Sequence, residues 1–286
     1  NYLLIIKMKR FCAIMVAGLV AFSCFGQTAN GTFVASISGV ERLSLVKTSI
    51  DVPTWHEKTF WPVYETYLSS SSEISSQAYR ALDDLARTTR ASAQDESYNN
   101  GKKLIQFRFE EVGVLEKYYA EIGKDFNGII ALQFLQTEVM LDMMESARIY
   151  ESSPLKNYRL YAKALESDQL AAAKRNTIRK ALVLSEQEEA KFWEIYSGYE
   201  EECLDVLGEN YDLYDVFAGD PTDFTPALSK RLGYNLLTLT KREIKLKEKY
   251  FELMNQELGS SLAARFLAWE DYYSVISKMY AWAETP

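Results

Sequence analysis

The chain has 286 residues, a formal charge of −8, 48% hydrophobic and 13% aromatic residues. That composition excludes a disordered chain, and the acidic balance argues against nucleic acid and anionic lipid as partners. One histidine and three cysteines leave little material for zinc sites or a disulfide framework.

Met8-Lys9-Arg10 followed by the apolar run Phe11–Phe22 has the charged start and short apolar core of a secretory signal peptide. The run is about a dozen residues, short of the ~20 that a spanning helix needs. Residues 1–26 are therefore expected to be a leader that sends the rest of the chain to the periplasm. Cys24 and Gly26 suit cleavage before Gln27, and Ala21-Phe22-Ser23-Cys24 also fits a permissive lipobox with Cys24 as a lipidated N-terminus. Without Lys7, Lys9 and Arg10 the charge becomes −11. Cys203 is the one cysteine beyond the leader, where a half-buried small residue is expected.

A polar leader over Asn30–Ile37 gives way to a short helix carrying Val40, Leu43, Val46 and Ile50. It stops near Asp51-Val52-Pro53, because proline disfavours helix at the residue before it. Thr54 with Glu57 three residues later has the form of a capping box, and Ser185 with Glu188 has the same form further on. An aromatic helix follows each box. Phe60, Trp61, Tyr64 and Tyr67 fall on one face of a 3.6-residue period, as do Phe192, Trp193, Tyr196 and Tyr199.

The two aromatic stretches lie 132 residues apart, and at that offset Val52–Pro154 aligns with Leu184–Pro286 without a gap. About twenty of roughly one hundred aligned positions are identical, some three times what chance pairing gives, which predicts a tandem repeat. Thr88–Gly101 and the segment from Gly219 to Gly233 are read as loops, with long helices from Lys102 to Ile122 and in its copy. Gly123 and Gly128, or Gly259, mark the turn into a last helix carrying Phe134 and Glu138, repeated as Phe266 and Glu270. Leu155–Ala181 reads as a helix-prone connection. No stretch alternates with period two, so the expected fold is all-α. Two tandem copies of a roughly 100-residue unit, each with one short and about three longer helices, would form a pseudo-twofold bundle. The first repeat spans 27–154, and the linker with the second spans 155–286.

Glu111, Glu138, Glu243 and Glu270 are acids in otherwise apolar helices, the pattern of buried ion pairs. Lys117, Lys249 and Arg108 are the expected partners. Four such glutamates also have the outline of a carboxylate metal site, but that site needs a Glu-x-x-His element on each of two helices. The single histidine, His56, reads as an exposed residue at a helix start. No nucleophile elbow, phosphate-binding glycine loop or kinase signature is present, so no catalytic residues, cofactor or metal are assigned.

Leu184-Ser185-Glu186-Gln187-Glu188, followed by Phe192-Trp193-Glu194-Ile195-Tyr196, resembles the LTxxQ-type turn and helix of the Spy/CpxP group of envelope proteins. Phe60-Trp61-Pro62-Val63-Tyr64 is similar to the continuation some members carry. The resemblance implies a small helical periplasmic protein that tends to pair and acts as a stress chaperone or sensory modulator. The leading expectation is a non-enzymatic binding protein using the eight aromatics as a partner surface for unfolded or specific envelope proteins, its two repeats paired within the chain. The alternatives are a scaffolding protein whose aromatics are all core and, remotely, a carboxylate metal-binding bundle.

Overall fold

The computed structural model describes residues 40–155, 167–217 and 223–284. The leader with its cleavage and lipidation motifs, and the 30–37 segment, lie outside those residues. Among the described residues all regular structure is helical: α1 (Val40–Ser49), α2 (Glu57–Ala86), α3 (Gln94–Asp125), α4 (Gly128–Ser152), α5 (Ser167–Leu182), α6 (Glu186–Phe217), α7 (Pro226–Leu258) and α8 (Ser260–Glu284).

Four helices form the centre. α3 packs on α4 and α7 on α8, while α3 and α4 each contact both α7 and α8. α2 lies along α3 and α6 along α7, with α1 against α4 and α5 against α8. The apolar stripes of these helices meet in one continuous core that includes Phe60, Tyr119, Phe134, Phe192, Phe251 and Trp269.

The two expected capping boxes have different fates. At α6 the box forms: the Ser185 backbone N–H donates to Glu188 Oε2 at 2.8 Å and the Glu188 N–H to Ser185 Oγ at 3.3 Å. α2 instead starts at Glu57 behind His56, which makes no side-chain cap, so Thr54 sits too early to serve. His56 is half-buried, its ring edge-on to Phe126 at 5.3 Å.

The reading of 88–101 as a loop is corrected: α3 begins at Gln94, with Asp95 and Glu96 in its first turn, where acids favour the helix dipole. Gly123 likewise lies within α3. The break falls at Phe126-Asn127, where Asn127 Oδ1 accepts from the Ile129 and Ile130 N–H groups. Gly101 and Gly233 close no loop, because both lie inside helices. A Cβ on Gly101 of α3 would collide with the Phe251 ring of α7, and one on Gly233 of α7 with the Tyr119 ring of α3. Gly259, between α7 and α8, has φ +89°, a conformation glycine adopts without a Cβ penalty. Of the connection read over 155–181, α5 supplies the part from Ser167, and 156–166 lies outside the described residues.

Candidate functional site

The aromatic helices α2 and α6 turn their stripes inward. Phe60, Tyr64, Tyr67, Phe192, Tyr196 and Tyr199 are all buried, and Trp61 and Trp193 are half-buried. The first six are core residues, and no partner can reach them in the folded chain. Their packing explains why: α3, α4, α7 and α8 cover the face that the 3.6-residue spacing creates.

Each stripe closes on a buried glutamate. Tyr64 and Tyr67 donate their hydroxyls to Glu138 of α4 at 2.8 and 2.9 Å, and Arg42 of α1 bonds the same carboxylate at 2.5 Å. Arg42 also reaches Glu145 at 2.9 Å. In the other half Tyr196 donates to Glu270 of α8 at 2.6 Å, and Lys174 of α5 pairs with Glu270 at 3.2 Å. Arg42 and Lys174 are again 132 positions apart. The ring geometry recurs as well: Tyr67–Phe134 and Tyr199–Phe266 lie at 4.9 and 5.2 Å, both with planes at 85°.

Burial sets the electrostatics of these clusters. Burial opposes the Arg42 charge, but the Glu138 and Glu145 carboxylates more than offset it and hold the guanidinium above its ordinary pKa. Burial and the adjacent acid also push the hydroxyls of Tyr64, Tyr67 and Tyr196 well up, so they serve as donors and not as bases.

A second polar cluster crosses between the halves. Arg108 of α3 bonds Glu111 at 3.0 Å, Asp142 at 3.1 Å, Ser146 at 3.0 Å and Asp271 of α8 at 3.5 Å. Lys247 of α7 bonds Asp271 and Glu243, both at 3.0 Å, and Glu243 also takes Ser274 and Lys278 at 2.5 Å. Burial works against the Asp271 carboxylate, yet Lys247 and Arg108 bring it down to about 2, while Lys247 and Lys278 hold Glu243 well below the carboxylate range. Glu111 goes the other way: burial, with Asp142 adding to it against Arg108, pushes it up to about 7. Its Oε1 has no hydrogen-bond partner in the structure.

The expected ion-pair partners are corrected in part. Arg108 does hold Glu111, but Glu138 takes Arg42, Glu270 takes Lys174 and Glu243 takes Lys247 and Lys278. Lys117 lies over the Tyr118 ring at 4.8 Å, and Lys249 pairs with Glu202 at 2.5 Å. Both lysines are exposed, on the outer sides of α3 and α7, so they face away from the buried acids. Among the described residues no group of three or more His, Cys, Asp or Glu is placed to hold a metal ion, and no helix is long and apolar enough to cross a membrane. Sequence reasoning missed Arg42, Lys174, Lys247 and Asp271. The recurrence of a basic residue at the 132 offset was available for the first two, just outside the aligned window.

The chain matches no family model, no curated protein and no solved structure.

Proposed function

We propose that the chain is an exported, non-enzymatic interaction protein of the cell envelope, built from two copies of one helical unit that pair within the chain as a fused dimer. The observation that carries this reading is reciprocity. Gly101 of α3 receives Phe251 of α7, while Gly233 of α7 receives Tyr119 of α3, and each member of one contact lies 132 residues from its counterpart in the other. A twofold interface has this property: residue i meets j, and j meets i. The matched clamps of Tyr64 and Arg42 on Glu138, and of Tyr196 and Lys174 on Glu270, support the same reading.

In this reading the aromatic stripes hold the fold, and partners are met on the outside. The exposed apolar side chains Trp55 and Leu204, 77% and 67% accessible, are the points of contact to probe. Glu138, Glu243 and Glu270 are occupied by hydroxyls and cations, which suits a structural part and no chemical step. Export through the 1–26 leader, the choice between Gln27 and Cys24 as the new terminus, and kinship with the Spy/CpxP group belong to the same proposal.

Two experiments test it. A protease site placed within 156–166 and then cut should leave the halves associated on gel filtration; halves that separate and stay folded would sink the fused pair. Photo-crosslinkers at Trp55 and Leu204 in the intact envelope should each give a discrete adduct. A broad ladder of unrelated adducts would favour a chaperone-like role instead, and no adduct at either position would count against interaction on these surfaces.

A further inference from the structure

Arg108 serves both halves of the chain. Its Nη1 takes Glu111 Oε2 at 3.0 Å and Asp142 Oδ1 at 3.1 Å, and its Nη2 takes Ser146 at 3.0 Å and, at 3.5 Å, Asp271 of α8. Two carboxylates on one nitrogen stand as close as a shared donor allows, and a like charge at that range disfavours ionising both. The two acids are not equivalent. The Asp142 side chain is 44% exposed and has the Tyr79 hydroxyl as a second donor at 3.0 Å. The Glu111 side chain is 16% exposed, and its Oε1 is buried with no hydrogen-bond partner.

The connected ion pairs are unbalanced in the same sense. Among the described residues, Glu111, Asp142, Asp271 and Glu243 are joined through Arg108, Lys247 and Lys278, four acids to three cations. Beside them Glu138 and Glu145 share Arg42. The polar groups facing Glu111 and Asp142 are Ser75 and Tyr79 of α2, Arg108 of α3, Glu145 of α4 and Asp271 of α8. At the positions 132 further on, Glu243 replaces Glu111 and Ser274 replaces Asp142. There Ser274, Lys247 and Lys278 all bond the glutamate. That half gives its glutamate a hydroxyl donor where this half has a second acid.

We propose that Glu111 and Asp142 hold one exchangeable proton between them, seated on Glu111, and that this proton sets how firmly Arg108 ties α3 to Asp271 of α8. The proton comes from water, which reaches the pair at Asp142, and returns to it when Glu111 ionises. While it is bound, Arg108 is held by Asp142 and Asp271. Once it leaves, the new charge draws the guanidinium toward Glu111, and the bond to Asp271 yields first because it is the longest of the four. Asp271 keeps Lys247 at 3.0 Å and the Tyr150 hydroxyl at 3.1 Å, so it stays paired while α3 and α8 lose a tie. Burial, with Asp142 adding to it against Arg108, pushes the Glu111 carboxyl up to about 7, which places the change near neutrality. The comparison with Glu243 rests on the duplication proposed above, while the cluster itself does not.

Carbon-13 NMR of the glutamate carboxyls in the full chain, followed across pH, tests the shared proton. One resonance with a midpoint of about 7 is expected, absent from Glu111→Gln. Glu145, also raised by burial, should remain in that variant. Asp142→Ser, which copies the other half, should move the Glu111 midpoint down by about one unit or more, since a like charge is removed. Asp142→Asn is the second variant if that one does not fold. A double-mutant cycle on Arg108→Met and Asp271→Asn in urea tests the tie. Its coupling factor should be several-fold larger at about pH 5.5 than at about pH 8.5, and equal at both in a Glu111→Gln background. If the cycle variants do not fold, amide exchange around Asp271 in the unaltered chain, corrected for its intrinsic rate, should show less protection at the higher pH. No glutamate titrating near neutrality, a midpoint unmoved in the folded Asp142 variants, or a tie indifferent to pH would overturn the proposal. Any of these would leave the fused-pair reading untouched, because the cut-chain experiment reads that separately.

Discussion

The ring of Tyr119 lies on the bare backbone of Gly233, close enough that a Cβ there would overlap it. The ring cannot swing aside cheaply, since its hydroxyl is tied to the Ser229 and Lys230 carbonyls, both at 3.0 Å. In an ordinary helix interior, Gly→Ala stabilises by about 0.5–1 kcal/mol. Gly233→Ala should instead destabilise, by roughly 1–3 kcal/mol, through overpacking. Gly113→Ala, with nothing within 4 Å of the new Cβ, should show the ordinary gain. Urea denaturation of both variants measures the two signs, and a stabilised Gly233→Ala would show that α3 and α7 are not held at this distance.

Glu138 supplies the second prediction. Removing it takes from Arg42, whose side chain is 13% exposed, the nearer of its two acids, leaving Glu145, and leaves the Tyr64 and Tyr67 hydroxyls without their acceptor. Glu138→Ala should cost about 3–5 kcal/mol, the usual penalty for breaking a buried pair. Adding Arg42→Met should restore part of that loss. A double variant no better than the single one would mean that Glu145 alone satisfies Arg42.

The third prediction concerns pH. The folded chain holds the Glu111 proton up to about 7, against an ordinary 4.5, because burial disfavours its charge. A raised carboxyl pKa contributes stability below the unfolded value and loses it as pH climbs through the folded one. Unfolding free energy should therefore fall between about pH 4.5 and 7, by no more than about 1.4 kcal/mol per pH unit for one proton. Glu111→Gln should flatten that decline. Burial raises Glu145 in the same direction, and its share remains in the variant. Asp271 and Glu243, held low by Lys247 with Arg108 and Lys278, have the opposite sign, and their contribution disappears on acidification below about pH 4. An unchanged slope in Glu111→Gln would remove Glu111 from the account.

A fourth prediction compares the caps. Ser185→Ala should destabilise by about 0.5–2 kcal/mol because it removes an N-cap acceptor from α6. Thr54→Ala, two residues ahead of the His56 cap, should be close to neutral. Thermal melts of the two variants decide it, and equal losses would mean that α2 begins earlier than Glu57.

These contrasts show where sequence was enough. The spacing of Phe60, Tyr64 and Tyr67 is a local property of one helix, and it marked a single face correctly; whether that face meets solvent depends on helices that arrive from elsewhere in the chain. The 88–101 stretch looked like a loop because its residues are polar, yet polar residues suit the first turns of α3, whose outer side meets water. Gly101 looked like punctuation because nothing in its neighbours announces Phe251, 150 positions away. The buried glutamates were recognised from their apolar surroundings. Their partners were not, because Arg42 with Glu138 and Lys174 with Glu270 are each separated by 96 positions.

The cluster around Arg108 has a further consequence. Its members Arg108, Asp142, Asp271 and Lys247 stand where the other half has Thr240, Ser274, Val139 and Leu115. Two separate identical subunits must carry every substitution twice, so they cannot acquire an off-axis charge on one side alone. A single gene encoding both sides removes that restriction: one codon changes one place. In the fused pair proposed above, the Arg108 cluster is a lopsided seam of this kind, and it leaves each half free to specialise while the other keeps the shared packing.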